Sequence, residues 1–381
     1  MSVECVIFDL DGTILSTEQL VIDVAQRVLA THGKELTNDV IAASMGKTPL
    51  DAWQSVTDML ELAVSPQQLY DQSESELSGR WHEARYLPGA YRVLTHLRKH
   101  AHRLALATST SRAVLSKKIQ NKELLKTCFE VVVCGDDPDL HNKGKPAPDC
   151  FLKAAMLLGV APERCLVIED SPSGVQAAHA AGMQVVYIPS IPGTNIFSPS
   201  NVTTLTTLLE FSPETYGLTR FDDSISHCIP LSLDGVWKIS GHVVKGFGRG
   251  SKQLGIPTAN VDALSVSTAI PVSVTGIYLG WASVSSNTVY KMCCSIGYNP
   301  VFENTEKSCE PWILHDFGDA NFVGQPIKLL ICGFIRPESS DFESLDALVE
   351  RIHKDADIAR EALDHASLLQ YKSDPFFFNS E

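Results

Sequence analysis

The stretch VECVIFDLDGT, residues 3–13, decides the fold of the first half of the chain. Its apolar run, 3–8, predicts a buried strand, and two carboxylates, Asp9 and Asp11, follow that strand directly. Apolar runs of the same kind recur at 104–107, 130–134, 166–168 and 185–188. Segments of helical period separate them, and strands that alternate with helices predict a parallel sheet covered by helices. From about 17 to 86 the pattern is helical, which predicts a helical insertion after the first strand.

The second half of the chain has a different pattern. After residue 191 Pro, Ser, Thr and Asn become frequent, and little periodicity remains apart from a short helix predicted near 202–210. Strands are then predicted at 236–244, 276–284, 289–296 and 327–335, followed by an amphipathic helix at 342–363. Short strands with one terminal helix predict a small antiparallel β-barrel on which the helix packs. We therefore expect an α/β plus β architecture, with domains at 1–217 and 233–381 joined by a linker at 218–232.

Composition and charge exclude several classes of function. The 381 residues are 44% hydrophobic and 20% charged, which is typical of a globular protein. The formal net charge is -14, so the chain lacks the basic surface that nucleic acids and anionic membranes require. No apolar run reaches the length of a membrane span, and the first strand leaves no room for a signal peptide. With ten scattered cysteines as well, we expect a soluble, cytoplasmic protein without nucleic-acid, membrane or inferred protein partners.

Polar residues suited to phosphate chemistry follow the predicted strands of the first half. They are Asp9, Asp11, Thr108, Ser109, Lys145, Glu169 and Asp170. Because the carboxyl ends of parallel strands meet at one edge of a sheet, we expect these side chains to form one site. Two carboxylates in one turn can divide the work between a nucleophile and a general acid and base. Each feature alone has an ordinary explanation, such as a turn acid or a helix cap, but the ordered set is improbable by chance.

This set of motifs resembles that of the haloacid dehalogenase-like hydrolase superfamily, over about residues 1–217. The resemblance implies a Rossmann-like sheet with a helical cap at about 17–86. It implies that Asp9 is the nucleophile that becomes an aspartyl phosphate and that Asp11 is the general acid and base. It implies phosphate binding by Thr108, Ser109 and Lys145. It implies that Mg²⁺ is held by Asp9, the backbone carbonyl of Asp11, Glu169 and Asp170.

A segment rich in glycine and cations follows the first predicted strand of the second half. It reads GHVVKGFGRGSK over 241–252, and its glycines let backbone N–H groups approach phosphates while its cations neutralise charge. This segment alone is weak evidence, because it lacks the spacing of a P-loop. In the next segment, LGIPTAN, Thr258 and Asn260 place two neutral oxygen ligands on one side of an extended chain. Further on, Glu310 supplies a carboxylate after the turn signal Asn299-Pro300.

These segments resemble the riboflavin kinase family, over about residues 233–372, whose fold is a six-stranded barrel. The resemblance implies that Glu310 is the general base that takes the proton of the ribityl hydroxyl, and that Thr258 and Asn260 are ligands of Mg²⁺. It implies an ATP site formed by Gly246, Gly248, Arg249, Gly250, Lys252, Thr258 and Asn260. Pro311 and Trp312 depart from the pattern of many relatives, which we expect to alter the flavin pocket more than the chemistry. A DFG string at 316–318 lacks the other protein-kinase motifs and is a chance match.

The two halves together resemble the bifunctional FMN phosphatase/riboflavin kinase family of plants. That resemblance implies riboflavin, FMN, ATP and ADP as ligands and Mg²⁺ in both domains. Two alternatives for the first half stay open: action on another small phosphate ester, such as a phosphosugar or a nucleotide, as a phosphatase or a mutase, and a non-catalytic regulatory role. In the cap, Arg80, Trp81, His82 and Arg85 could contact a substrate ring or phosphate, or could be ordinary faces of a cap helix.

Overall fold

The chain forms two compact units. A computed structural model describes residues 2–44, 49–140, 143–190, 199–231, 235–245, 256–271, 274–285, 287–298, 307–318, 320–339 and 342–379. The first unit comprises Met1–Leu87 and Leu97–Thr204, and the second comprises Pro88–His96 and Leu205–Glu381. The domain limits at 217 and 233 stay a prediction. Within the described ranges, no helix combines the length and the apolar character that a membrane span needs.

In the described part of the first unit, parallel strands form one sheet in the order β3-β2-β1-β4-β5-β6. The strands are β1 (Cys5–Phe8), β2 (Arg103–Ala107), β3 (Val131–Val133), β4 (Cys165–Glu169), β5 (Gln184–Tyr187) and β6 (Val202–Thr204). The central strand β1 is completely buried, as its apolar run predicts. Phe8 lies opposite both Leu106 and Ile168, so the residues that follow β1, β2 and β4 meet at one edge of the sheet. The helix predicted near 202–210 is wrong at its start, since β6 is an edge strand of β-branched residues.

Helices cover this sheet and build the insertion after β1. The insertion contains α1 (Thr17–Thr31), α2 (Asn38–Ser44), α3 (Pro49–Leu60) and α4 (Pro66–Arg80). The helices of this unit that follow are α6 (Arg112–Lys118), α7 (Glu123–Thr127), α8 (Asp149–Leu158) and α9 (Pro172–Ala180), while α5 (Ala90–Lys99) begins in the residues of the second unit and ends in those of the first. Between Thr17 and Arg80 the described residues form helices and no strand, as the sequence pattern predicts. At α4 the Ser65 hydroxyl and the Gln68 side chain form a reciprocal cap, and α9 begins with a Ser171 cap followed by a proline.

The second unit is an antiparallel barrel with a helix packed on it. Its strands are β7 (Ile229–Pro230), β8 (Trp237–Val244), β9 (Asn260–Val261), β10 (Gly276–Val284), β11 (Tyr290–Tyr298), β12 (Lys307–Ile313) and β13 (Pro326–Arg336). They pair in the order β12-β11-β10-β13-β8-β9, and the amide of Ala259 donates to the carbonyl of Pro311 (3.0 Å) and links the two ends. The helices are α10 (Ala263–Ala269), α11 (Leu345–Ala362) and α12 (Ala366–Leu369). The sequence patterns do not predict β9 or β12.

Candidate active sites

Three strand ends of the first unit bring the predicted residues into one buried cluster. Asp9 follows β1, Thr108 follows β2 and Asp170 follows β4. The backbone amide of Asp9 donates to Ile168 and that of Thr108 to Val133, each at 3.0 Å, so the strand ladder continues into the site. Asp9, Thr108 and Asp170 are buried, whereas Ser109, the other predicted phosphate ligand after β2, is exposed.

Lys145 lies at the centre of this cluster. Its ammonium donates to a carboxylate oxygen of Asp9, to Oε1 of Glu169 (2.6 Å) and to the carbonyl of Ala107 (3.2 Å). These contacts use all three donors that an ammonium has. Burial alone would lower the pKa of Lys145, but the adjacent charges of Asp9 and Glu169 raise it instead. Lys145 is therefore a permanently charged group, fixed between the proposed nucleophile and Glu169, the acid that ends β4.

Glu169 is held by the beginning of α9. Its Oε2 accepts from the amides of Asp170 (2.9 Å) and Ser171 (2.8 Å) and from the Ser171 hydroxyl (3.0 Å). The carboxylate packs so closely against Gly174 that a Cβ at that position would overlap it. With both oxygens engaged, the contacts favour a role in orienting Lys145 over direct metal binding. The assignment of Glu169 as a metal ligand stays a prediction.

The charge balance of the cluster fits a divalent cation. Among the described side chains of the cluster, the three carboxyl groups of Asp9, Glu169 and Asp170 face one ammonium, that of Lys145. Burial, with the neighbouring carboxylates, raises the pKa of Asp9 to about 7 and that of Asp170 well above its ordinary value. Hard oxygen ligands with excess negative charge are what Mg²⁺ prefers. The residues present therefore suit the predicted ion, with Asp9, Asp170 and the carbonyl of Asp11 as its ligands.

Asp11 is held by two residues that the sequence patterns do not single out. Its Oδ1 accepts from the ammonium of Lys118 (2.6 Å) and its Oδ2 from the hydroxyl of Thr110 (2.6 Å). Lys118 is the last residue of α6 and the second of two adjacent lysines. Its neighbour Lys117 instead donates to Ser78 (2.6 Å). In the sequence, only the positions of the two lysines around the helix could have indicated which of them faces Asp11.

The basic and aromatic residues predicted in the cap lie in different environments. Arg80 forms ion pairs with Glu76 (3.2 Å) and Glu83 (2.7 Å), typical of an ordinary helix surface. Trp81 instead is buried, and its ring lies 4.5 Å from the ammonium of Lys118. Of this group, Trp81 is thus the residue that approaches the catalytic cluster through a described contact.

In the second unit, Thr258, Asn260 and Glu310 lie on the same side of the barrel wall. The amide of Ala259 bonds to the carbonyl of Pro311, and both of those residues pack inwards. Side chains alternate along a strand, so Thr258 and Asn260 share the opposite face with Glu310. Burial raises the pKa of Glu310, and a hydrogen bond from Ser308 partly offsets this. A carboxylate with a raised pKa suits a general base near neutral pH.

Sequence reasoning missed two further ionisable groups, one beside Glu310 and one at the start of β12. Ser295, which is paired with Glu310 across β11 and β12, donates to Oε1 of Glu338 (3.3 Å). Burial raises the pKa of Glu338 to about 7, and the nearby charge of Glu310 adds to this. Lys307 is buried, donates to the carbonyl of Pro271 (2.5 Å), and has its pKa lowered to about 7 by burial. A carboxylate after β13 and a lysine between Glu306 and Ser308 give no recognisable sequence signal.

The remaining predictions for this half concern the ATP site, the turn before Glu310 and the two residues after it. The ATP-site residues Gly246, Gly248, Arg249, Gly250 and Lys252, and the turn at Asn299-Pro300, lie outside the described residues. Pro311 fits β12 because its carbonyl accepts the bond from β9. Trp312 is half-buried, with its ring 5.4 Å from that of His353.

Comparison with known proteins matches each half of the chain to a family. Residues 6–188 match the haloacid dehalogenase-like hydrolase model, and residues 233–363 match the riboflavin kinase model. A bifunctional riboflavin kinase/FMN phosphatase of Arabidopsis thaliana is 40% identical over 372 residues, covering 98% of this chain and 96% of that protein. A riboflavin kinase of Mus musculus is 49% identical over 138 residues, 36% of this chain and 87% of that protein. The (DL)-glycerol-3-phosphatase 1, mitochondrial, of Arabidopsis thaliana is 35% identical over 228 residues, 58% of this chain and 76% of that protein.

Proposed function

The chain belongs to the bifunctional riboflavin kinase/FMN phosphatase family, and from that premise we propose that its second half phosphorylates riboflavin with MgATP while its first half hydrolyses FMN. The main support is the match of one relative to 98% of the chain. The acid pair Asp9 and Asp11 and the buried Lys145 beside it argue against a non-catalytic first half. The ten cysteines are free and buried, which supports the predicted cytoplasmic location.

In the proposed hydrolysis, Asp9 attacks the phosphorus of FMN and the bond from phosphorus to the ribityl oxygen breaks. Asp11 gives a proton to that leaving oxygen, and riboflavin departs from an aspartyl phosphate on Asp9. Water then attacks the phosphorus, Asp11 takes its proton, and inorganic phosphate leaves with Asp9 restored. Lys145 and Thr108 offer an ammonium and a hydroxyl to the transferring group. Mg²⁺, when bound by Asp9, Asp170 and the carbonyl of Asp11, would neutralise further charge.

Lys145 must exchange a partner during this reaction. In the free site its three donors go to Asp9, Glu169 and Ala107, so no donor faces a substrate. When Asp9 forms a bond to phosphorus it loses its charge, and its attraction for the ammonium of Lys145 weakens. The donor released from Asp9 can then move to a phosphoryl oxygen while Glu169 holds the ammonium in place.

In the proposed phosphorylation, Glu310 takes the proton of the terminal ribityl hydroxyl. The oxygen attacks the γ-phosphorus of ATP, the bond from that phosphorus to its bridging oxygen breaks, and ADP leaves. Thr258 and Asn260 present neutral oxygens on the same face as Glu310, which suits a Mg²⁺ ion that already carries nucleotide phosphates. The segment 246–252 would cover those phosphates with backbone amides.

A second candidate for the first half is hydrolysis of another small alkyl phosphate. The observation that favours it is the 35% identity of this half to a (DL)-glycerol-3-phosphatase. The same acids, lysine and metal would serve either ester, so the two candidates differ in the substrate rather than in the mechanism. Initial rates of phosphate release from FMN and from glycerol 3-phosphate separate them.

Reciprocal variants of the full chain test the assignment of each half. Asp9→Asn should abolish release of riboflavin from FMN and leave phosphorylation of riboflavin within about twofold of wild type, because it removes only the nucleophile. Glu310→Gln should lower phosphorylation about 10²- to 10⁴-fold and spare hydrolysis, since it removes a general base. Both products can be followed by fluorescence after chromatography. Hydrolysis that persists in the first variant would remove Asp9 from its role, and near-normal phosphorylation in the second would remove Glu310.

A further inference from the structure

Lys118 makes an unusual set of contacts for a lysine at the end of a helix. Its side chain is only 6% exposed, and its ammonium lies 2.6 Å from Oδ1 of Asp11 and 3.0 Å from the hydroxyl of Thr110. The ring of Trp81 covers the ammonium at 4.5 Å. Burial of an ammonium is costly, and a charged partner together with an aromatic face offsets that cost. The contacts thus fasten Lys118 to the residue proposed as general acid and base.

Lys118 and Thr110 fix both oxygens of Asp11. Lys118 donates to Oδ1, Thr110 donates to Oδ2 at 2.6 Å, and the Thr110 oxygen itself accepts from Lys118. The three groups form a closed ring of hydrogen bonds, so the plane of the carboxylate cannot turn without breaking one of them. Each carboxyl oxygen has two acceptor positions, which leaves one on each for the proton that Asp11 gives to the leaving oxygen or takes from water.

We propose that Lys118 is the positioning residue of Asp11, and that it ties the orientation of this acid to the end of the cap. The proposal rests on the proposed hydrolysis and adds to it a residue that does not itself touch the ester. The Asp11 side chain is 31% exposed and therefore only partly held by packing. Without Lys118, the hydroxyl of Thr110 would be the remaining described hydrogen-bond partner of its carboxylate. A misplacement of a catalytic group by about 1 Å can cost about 10²-fold in rate.

The connection to the cap runs through the short segment that follows α4. Trp81 begins this segment and covers Lys118, while the ammonium of Lys122 donates to the carbonyls of His82 (2.8 Å) and Lys118 (3.0 Å). The end of the cap and the end of α6 are therefore joined at Lys118 from two sides. Trp81 and Lys122 thus connect the end of the cap to the residue that holds Asp11.

Lys118→Met is the test, since methionine keeps an unbranched chain under Trp81 and removes the charge. The readout compares an alkyl ester with an aryl ester, p-nitrophenyl phosphate, whose leaving group needs no proton. For FMN, kcat/KM should fall about 10- to 10²-fold, because the first step needs Asp11 in place as an acid. For the aryl ester kcat/KM should stay within about threefold, while kcat and KM fall together because the second step needs Asp11 as a base.

Three controls separate this role from a structural one. Lys117→Met changes the adjacent lysine, which contacts Ser78, and should leave both esters within about twofold. Lys118→Arg keeps a charged donor and should recover part of the FMN activity. In an Asp11→Asn background, adding Lys118→Met should lower kcat/KM for FMN by less than about twofold, because the positioned group is already gone.

The outcomes are distinct. An equal loss of kcat/KM on both esters, or an undiminished effect in the Asp11→Asn background, overturns the proposal. Should the wild-type protein cleave glycerol 3-phosphate but not FMN, the proposed substrate fails and the same comparison is made with glycerol 3-phosphate as the alkyl ester. A wild-type protein that cleaves none of the three esters overturns the proposed hydrolysis, and this inference falls with it.

Discussion

Replacing Lys145 by Met removes the ammonium from the buried carboxylate cluster of the first unit. In the wild-type chain this group donates to Asp9, Glu169 and the carbonyl of Ala107. Its side chain is 6% exposed, that of Asp9 is 8% exposed, and that of Glu169 is fully buried, so water cannot substitute for the lost donors. Methionine has nearly the same length, so the change removes charge and hydrogen bonds while the cavity stays filled.

The expected size of the effect follows from these contacts. Removing one partner of a buried ion pair costs about 3–5 kcal/mol, because the charge that remains is uncompensated. At about 1.4 kcal/mol for each factor of ten, a loss of this size in the transition state lowers the rate of FMN hydrolysis about 10²- to 10⁴-fold. The transferring phosphoryl group has to be stabilised by the same ammonium, so the loss is expected in kcat as well as in kcat/KM.

The assay uses the full chain, in which the second unit supplies an internal control. Riboflavin phosphorylation should stay within about twofold of wild type, since Lys145 belongs to the first unit. Lys143→Met is the matched control: this lysine is two residues away, its side chain is 62% exposed, and it lies 3.8 Å from Asp149. It should leave hydrolysis within about twofold, as surface ion pairs contribute little. A Lys145→Met protein with more than about a tenth of wild-type hydrolysis would refute the role of the buried ammonium.

Two further predictions concern one residue in each unit. Gly12→Ala should lower FMN hydrolysis by at least about 10²-fold in initial-rate assays and spare phosphorylation, because Gly12 has φ of +78° and a Cβ there would overlap the Asp170 carboxylate. Hydrolysis at the wild-type rate would show that Asp170 can move without harm. Lys307 has a folded-state pKa of about 7, against 10.5 when exposed, so the unfolded chain binds more protons at this residue between these values and its contribution to the stability of the second unit should rise with pH. The difference in stability between wild type and Lys307→Met should therefore change by on the order of 5 kcal/mol from pH 7 to 10.5 in calorimetric scans, and a difference that does not change with pH would contradict the burial of Lys307.

The strand ends of the first unit were predictable from the sequence because parallel strands obey a simple geometric rule. An apolar run that ends in a polar residue marks a strand end, and Asp9, Thr108 and Asp170 each follow such a run. No such rule identifies Lys118, because its position next to Asp11 and under Trp81 follows from the turn of α6 and from packing. Two lysines stand side by side at 117–118, and three-dimensional packing decides which one is buried.

The sequence patterns do not predict the strand β12, for a related reason. Its sequence, KSCEPWI, places a lysine at a buried position and a proline within the run, and both usually argue against a strand. The barrel accepts Lys307 because the carbonyl of Pro271 receives its ammonium. It accepts Pro311 because that residue contributes its carbonyl to the bond with Ala259. Lys307 and Pro311 therefore obscure, in the sequence, the strand that carries Glu310.

The local charges explain how an acidic protein can act on anionic esters. Without a cation the cluster around Lys145 holds three carboxyl groups against one ammonium, and the ionised forms of these groups would repel a phosphate dianion. A divalent cation bound by Asp9 and Asp170 would bring the cluster close to neutrality, and the ester would then meet the ammonium of Lys145 without a net opposing charge. Binding of the cation would therefore lower the electrostatic cost of binding the ester at this cluster.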